Sequence, residues 1–302
     1  MKMHRRIIAL ALALTTVVTA NFAYAAGINH ADFERVVLTT EDPRTDPEAV
    51  IVPGGRTSTA PFGTFPASTN AIDSLSVIKG SVSFYETGVG AHYYAFGSKS
   101  TTYSEAFSNI KLPTSLNVGQ RVAFISLGIH GDIRGVDLGL KNVGDGWMPV
   151  YYDGYGDTFV EYPSYISPST ATNAVIVVKP VDTTTIQMYV QFLDASGNNV
   201  GTTFWKQIPV KAGNFTSTSG KVNCQYYRFA SLVPQLNTTD NQKDGTYMLN
   251  GQFTNCQLYN GSSYVNWGIG NSTIVYAWKV SPERISFSYS GTTDTFSIDH
   301  WG

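Results

Sequence analysis

The sequence predicts an all-β protein built as a two-sheet antiparallel β-sandwich. Three observations predict this class: apolar and polar residues alternate with period two in many short segments, turn residues separate these segments, and helical periodicity is scarce. Strands with one apolar face must bury that face, and without helices the covering layer is a second sheet. We expect a jelly roll, with an immunoglobulin-like array or a propeller as alternatives, the propeller being disfavoured by the lack of an internal repeat.

Residues 1–25 have the pattern of a signal peptide. Basic residues open the chain, an apolar stretch covers 7–18, and small residues precede a cleavage site after Ala25. This stretch is too short to anchor the protein in a bilayer of roughly 30 Å. We therefore expect a secreted or periplasmic protein without integral membrane anchoring.

Residues 26–73 form a distinct segment that contains five of the 13 prolines of the chain. Proline removes a ladder donor and restricts its neighbours, so we expect an irregular Pro/Thr-rich leader in which residues 50–52 dock as one short strand. Period-two patterning begins at Leu75. The sequence therefore predicts a single β-sandwich domain over 74–302.

The strands of that domain follow from alternation. Residues 185–192 place Ile, Met, Val and Phe on one face, 284–289 repeat the pattern, and turn signals occur at 194–198 and 260–262. Further strands are predicted near 76–86, 121–129, 136–140, 147–152, 174–179, 202–210, 222–230, 246–253, 273–280 and 294–299.

The charge balance excludes some partners. The formal net charge is −2, and no basic run is present. The charged residues within 1–25 are all basic, so cleavage after Ala25 makes the chain more acidic. Nucleic acids and anionic membranes need a clustered positive field, so neither is expected as a partner. We expect a monomer.

Cys224 and Cys256 are the two cysteines of the chain. In an oxidising exported setting an even pair predicts one disulfide, which would stabilise the fold by roughly 3–4 kcal/mol.

The segment 144–157 is the densest group of residues suited to bind a ligand. Sugars stack on aromatic rings and donate hydrogen bonds to carboxylates, and this segment carries both kinds of side chain. The alternative is structural, because aromatic residues fill strands and Asp-Gly pairs form turns. The predicted ligand-binding residues are Trp147, Tyr151, Tyr152, Tyr155, Asp145, Asp153 and Asp157.

Two of these carboxylates, Asp153 and Asp157, are also candidate ligands for Ca²⁺, a hard ion that takes six to eight oxygens. The segment lacks the further ligands of an EF-hand loop. A surface turn held by glycines is the competing interpretation, and we expect no cofactor.

Two fragments resemble jelly-roll alginate lyases. Residues 129–131, Ile-His-Gly, are similar to their Gln-Ile-His-Gly strand, and 210–215, Val-Lys-Ala-Gly-Asn-Phe, are similar to a later strand of those enzymes. The resemblance implies the concanavalin A-like jelly-roll superfamily of lectins, glucanases and lyases. In such lyases Gln and Arg neutralise a uronate carboxylate while His and Tyr move protons. Here Gly128 stands at the Gln position and Phe215 at the Tyr position, which leaves His130 as the catalytic candidate.

These observations favour an exported, non-enzymatic protein that binds a glycan or polysaccharide. We expect His130 and Asp132 beside the 145–157 segment if the adjoining strands pair as a meander. The alternatives are a polysaccharide lyase of the alginate-lyase type and an envelope or matrix protein that contacts another protein through its sheet edges. A jelly-roll glucanase is disfavoured, because no strand carries its closely spaced acidic residues.

Overall fold

The structure is a computed structural model. It describes residues 50–51, 83–85, 91–119, 121–142, 144–156, 158–234, 245–268, 274–278 and 284–299. The predicted signal peptide and all of the predicted leader except Val50–Ile51 lie outside these residues.

The regular secondary structure of the described residues is almost entirely β-strand. The period-two segments become strands close to their predicted limits. The predicted strand 185–192, for example, covers all but the last residue of Thr185–Leu193. The strands are β1 (Val50–Ile51), β2 (Ser83–Tyr85), β3 (Ala91–Phe96), β4 (Glu105–Lys111), β5 (Ser115–Asn117), β6 (Arg121–His130), β7 (Gly135–Asn142), β8 (Trp147–Asp153), β9 (Thr158–Glu161), β10 (Asn173–Pro180), β11 (Thr185–Leu193), β12 (Asn199–Pro209), β13 (Thr216–Thr218), β14 (Lys221–Asn223), β15 (Gln225–Pro234), β16 (Tyr247–Tyr259), β17 (Tyr264–Asn266), β18 (Ile274–Trp278), β19 (Arg284–Ser290) and β20 (Thr293–Asp299).

These strands form two large sheets and one small hairpin. Sheet I has the order β1-β9-β8-β7-β6-β15-β3-β18-β2, and sheet II has the order β12-β11-β10-β4-β16-β20-β19, with β5 and β17 also paired to β16. The hairpin is β13-β14. The pair β18–β2 is parallel, whereas the other pairs of these strands are antiparallel. In the described part of the chain, no helix is long and apolar enough to cross a bilayer.

One apolar core lies between the two sheets. Leu127 and Leu138 of sheet I belong to the same buried cluster as Ile176 and Met188 of sheet II, and none of the four is accessible to solvent. Burying one face of each sheet against the other is the arrangement that alternation predicts. The all-β sandwich is therefore confirmed.

Sheet I differs from the one-sided pattern, because its outer face is buried too. Residues of β3, β6 and β15 pack there as a second cluster in which no residue is more than 2% exposed. Strands buried on both faces lose the alternation of apolar and polar residues. The aromatic members of this cluster on the three strands are Tyr94, Phe96, Phe124, Tyr227 and Phe229.

A carboxyl group lies on this buried aromatic face. Tyr227 extends over Gly128, where any side chain would overlap its ring, and donates a hydrogen bond to Asp137. Burial raises the pKa of Asp137 well above its usual value, and the bond from Tyr227 offsets part of that rise. Asp137 is therefore neutral over a wider pH range than an exposed aspartate.

A buried ion pair joins the two sheets. The Arg228 Nε of β15 lies 2.5 Å from the Asp294 Oδ2 of β20, and both side chains are fully buried. The Tyr93 hydroxyl donates to the same oxygen at 2.9 Å, and the guanidinium lies 4.6 Å from the centre of the Trp267 ring. Losing one member would leave the other as an uncompensated buried charge.

The predicted disulfide is wrong for this structure, in which Cys224 and Cys256 are both free and buried. Cys224 adjoins β15 in sheet I and pairs with Ser100, whereas Cys256 lies in β16 of sheet II with its Sγ 3.3 Å from the Ser108 Oγ. The two cysteines therefore belong to different sheets, and no bond joins them.

Candidate functional site

The meander β6-β7-β8-β9 decides which predicted site residues meet. Its strands are antiparallel neighbours, so the loops after β6 and β8 lie at one end of sheet I and the β7–β8 loop lies at the other. His130 pairs with Gly135, and the Gly154 N–H donates to the Gly135 carbonyl at 3.0 Å. The expected proximity of His130 and Asp132 to the turn at 153–157 therefore rests on a pairing that the structure contains.

Asn214 fixes the loop between β6 and β7. Its carbonyl accepts the Asp132 N–H at 2.6 Å, and its Oδ1 accepts the Ile133 and Arg134 N–H groups at 3.3 and 3.0 Å. Its Nδ2 donates to the Arg134 carbonyl at 3.1 Å. The side chain is fully buried, and a Cβ at Gly131 would overlap the Asn214 carbonyl. One buried amide therefore sets the path of the whole loop.

Asp153 performs the same role for the turn after β8. Its Oδ1 accepts the Tyr155 N–H at 3.1 Å and its Oδ2 accepts the Lys211 N–H at 2.7 Å. A Cβ at Gly156 would overlap that second oxygen, so glycine is required there. Asp153 thus ties the β8–β9 turn to the segment after β12 and is only 2% exposed.

Tyr155 and Lys211 meet on the solvent side of this junction. The Lys211 Nζ lies 4.5 Å from the centre of the half-buried Tyr155 ring, within cation–π distance. A Cβ at Gly213, where φ is +92°, would lie 3.9 Å from the ring edge. We call the surface formed by Asp132, Arg134, Tyr155 and Lys211 the loop face.

The loop face carries a positive field. Lys99 forms an ion pair with Asp132 at 2.5 Å, which leaves Arg134 and Lys211 without an ion pair to any described residue. Burial opposes ionisation of Asp132, yet its hydrogen bond from Lys99 holds its pKa below the usual value. Among the described residues exposed or half-buried here, the cations Lys99, Arg134 and Lys211 outnumber the one carboxylate, Asp132, although the chain as a whole is acidic.

His130 lies beneath the loop face and is 6% exposed. Its Nδ1 is 2.8 Å from the Gly131 carbonyl. Burial lowers the pKa of His130, the bond to Gly131 raises it, and the charges of Lys99 and Arg134 lower it further. Burial thus favours the neutral imidazole, and its contact with the Gly131 carbonyl suits it to hold the end of β6.

The other predicted ligand-binding residues lie elsewhere. Trp147 and Tyr151 belong to the core between the sheets, at 6% and 1% exposure, because odd-numbered residues of β8 face inward. Tyr152 belongs to the buried outer face of sheet I. Asp145 is exposed in the β7–β8 loop, at the opposite end from Tyr155, and Asp157 lies outside the described residues. The structure therefore separates the predicted site into core residues and a loop-face remainder.

Of the two predicted calcium ligands, Asp153 lies within the described residues and Asp157 lies outside them. Both oxygens of Asp153 accept backbone N–H groups, so this carboxylate already has structural partners. Among the described residues, no group of three His, Cys, Asp or Glu side chains is placed to hold a metal ion.

Sequence reasoning missed Arg134 and Asn214 as members of the site and gave Lys211 no role beyond its place in a similar fragment. That fragment, 210–215, is a loop over its whole length, between the end of β12 and the start of β13, rather than a strand. A Gly-Asn pair after a long strand was the available signal, since glycine tolerates positive φ and asparagine bonds backbone groups.

Comparisons with known proteins give likenesses of fold alone. No family model and no curated protein matches the chain. The solved scytalido-glutamic peptidase with a transition-state analogue inhibitor is similar at 15% identity and a TM-score of 0.41, covering 70% of this chain and 97% of that one. A peptidase of the eqolisin family with a bound tripeptide is similar at 14% identity and a TM-score of 0.40, covering 70% and 98%.

A marine alginate lyase from Aplysia kurodai is similar at 10% identity and a TM-score of 0.26, covering 45% of this chain and 71% of that one. These peptidases and the lyase are β-sandwich proteins, as this chain is. At such identities the likeness carries no argument about activity.

Proposed function

We propose that this protein is an exported, non-catalytic polysaccharide-binding protein and that the loop face is its binding surface. The observation that carries the proposal is the Tyr155 ring, half-exposed and flanked by the Lys211 ammonium at 4.5 Å. An aromatic ring offers a stacking surface for the C–H face of a sugar, and adjacent cations bind acidic substituents. Export rests on the pattern of residues 1–25.

The cations indicate which polysaccharides suit the loop face. Arg134 and Lys211 have no ion-pair partner among the described residues, and the Asp132 carboxylate is already engaged by Lys99. Carboxylate or sulfate groups on a sugar chain would supply the missing charge. Of the predicted carboxylate ligands, Asp153 is buried, Asp145 lies at the opposite end of sheet I and Asp157 lies outside the described residues, so the proposal rests on the cations.

The loops are held before any ligand arrives. Asn214 and Asp153 bond backbone groups on three separate segments, so the ring and the cations start from fixed positions. Fixing a binding surface in advance reduces the entropy cost of association.

Titration of the mature protein, residues 26–302, with polygalacturonate, dextran sulfate and neutral dextran tests the proposal by calorimetry. We expect the two acidic polymers to bind and dextran to bind more weakly. Tyr155→Ala and Lys211→Gln should each weaken binding roughly tenfold, about 1.4 kcal/mol. Lys111→Gln, an exposed lysine in sheet II, is the matched control and should bind like the wild type.

Equal binding of all variants would contradict the loop-face assignment. If no polymer binds, the proposed function is wrong and contact with an envelope protein becomes the better hypothesis. The choice between acidic sources follows from which polymer binds, the carboxylated or the sulfated one.

A lyase is the second candidate, because the two lyase-like fragments meet: the Asp132 N–H, next to Gly131, donates to the Asn214 carbonyl. Against a lyase, the Phe215 side chain has no acidic proton to donate and is 5% exposed, and His130 is only 6% exposed. Ultraviolet absorbance would follow the release of unsaturated uronate from polygalacturonate or alginate. If the protein releases this product and the His130→Gln variant does not, the lyase replaces the binding proposal.

A further inference from the structure

The outer face of sheet II carries a row of residues that no prediction from sequence included. Its members lie directly opposite one another across five adjacent strands, which spans about 19 Å. From the edge strand inward they are Trp205, Tyr189, Val177, Phe107 and Gln257.

Two aromatic rings form the accessible part of this row. Tyr189 and Trp205 are both half-buried, with ring centres 6.0 Å apart and ring planes at 82°. Val177 and Phe107, further along, are only 2% and 4% exposed. Along this row the solvent-accessible apolar surface is therefore concentrated on the two rings of β11 and β12, the two strands at one end of the described order of sheet II.

Carboxamides border the rings. Gln187 lies opposite Gln207 in the next row and is 7% exposed, and its Nε2 has no hydrogen-bond partner in the described structure. The Asn109 Oδ1, in the row on the other side, also has none. A buried donor and a buried acceptor without partners are costly, and rotation about the terminal carboxamide torsion can present them to a ligand.

We propose that this face, the sheet II platform, binds an uncharged saccharide chain. Sugars have apolar C–H faces that stack on rings and hydroxyls that both donate to and accept from carboxamides. In the two flanking rows of these five strands the charged residues are Lys179 and Glu105, and Glu105 is fully buried and bonded by Tyr264. The platform therefore has one accessible cation, Lys179, where the loop face and its rim have three.

A protein partner suits this platform less well. A stable protein interface buries about 800 Å² on each side around an apolar centre. Here the central Val177 and Phe107 are already covered, so little apolar surface is left for a second protein to bury. A single chain of sugars needs only the two rings and the groups beside them.

The test uses the mature protein and three neutral hexasaccharides, from cellulose, mannan and amylose. We expect at least one to bind by calorimetry and to change tryptophan fluorescence, because the Trp205 ring lies at the contact. Trp205→Ala and Tyr189→Ala should each weaken binding roughly tenfold. Gln187→Leu should weaken it less, and Trp205→Phe should retain most affinity while removing the fluorescence change.

Tyr247→Ala is the matched control, since it truncates a half-buried ring of β16 ten residues along the chain from Gln257. It should leave hexasaccharide binding unchanged. Titration of Trp205→Ala with the acidic polymers reports on the loop face separately, so either surface can fail while the other stands. The proposal is overturned if none of the hexasaccharides binds at millimolar concentration, or if the folded Trp205→Ala variant binds like the wild type. A concentration-dependent dimer that Trp205→Ala abolishes would assign the platform to a second copy of the chain instead.

Discussion

The outer faces of the two sheets are covered to different extents. On sheet I a buried aromatic cluster that includes Phe229 lies beside the buried carboxyl of Asp137, whereas on sheet II a covered centre gives way to Tyr189 and Trp205, which stay half-buried beside carboxamides. Aromatic residues are abundant on both. Whether an aromatic residue of a strand contributes to stability or to binding therefore depends on whether that part of the sheet is covered. The identity of the residue does not determine this.

The largest expected effect comes from truncating an aromatic residue on the outer face of sheet I. Phe229 is fully buried, with its ring centre 5.2 Å from that of Tyr94. Phe229→Ala should lower the free energy of unfolding by about 3–5 kcal/mol, because it removes a buried ring and leaves a cavity. Urea unfolding measures this. A loss below about 1 kcal/mol would mean that this face is not a true core.

Asp137 should make stability depend on pH. Its folded pKa is raised, so the folded state holds its proton after the unfolded chain has released it. Stability from this group is constant below the unfolded pKa of about 4 and then falls as pH rises, by at most about 1.4 kcal/mol per pH unit, until the folded pKa is reached.

Asp137→Asn removes this titration and retains an acceptor for Tyr227. The variant should therefore gain stability relative to the wild type between pH 4.5 and pH 7 by about 1–3 kcal/mol. Urea unfolding at both values checks this. Parallel stability curves for the two proteins would show that Asp137 is ionised in the folded state.

Trp205→Ala, on the outer face of sheet II, should lower the free energy of unfolding less than Phe229→Ala does. Part of its ring already contacts solvent, so we expect a loss of about 1–2 kcal/mol in unfolding free energy. The comparison between the sheets fails if this loss equals that of Phe229→Ala under the same conditions.

The smallest expected effect concerns the cysteines, which lie in different sheets. Because no disulfide joins them, a reductant should leave the free energy of unfolding by urea unchanged to within about 0.5 kcal/mol, and the midpoint should not move. After unfolding, two thiols per chain should react with a thiol reagent. A midpoint that falls on reduction would show that the sheets are covalently tied.

Alternation predicted the strands and the sandwich, since Ile186, Met188 and Val190 do point to the common core. It could not assign Trp147 and Tyr151 to the inside, because β8 is buried on both faces and its polar signal is lost. Nor could it place Asn214 against a loop about 80 residues earlier, since that contact depends on how the sheets fold together. The disulfide predicted for Cys224 and Cys256 failed for the same reason, because a pair of cysteines in the sequence does not give their positions in the fold.

The clamp made by Asn214 has a consequence for altering this protein. Every bond it makes to the β6–β7 loop goes to main-chain atoms of Asp132, Ile133 and Arg134, leaving their side chains uncommitted to the loop's shape. Asp132 also forms an ion pair with Lys99, so it should be kept, whereas positions 133 and 134 can be randomised in a display library with the loop path retained. New ligand preferences should then be selectable without rebuilding the molecule.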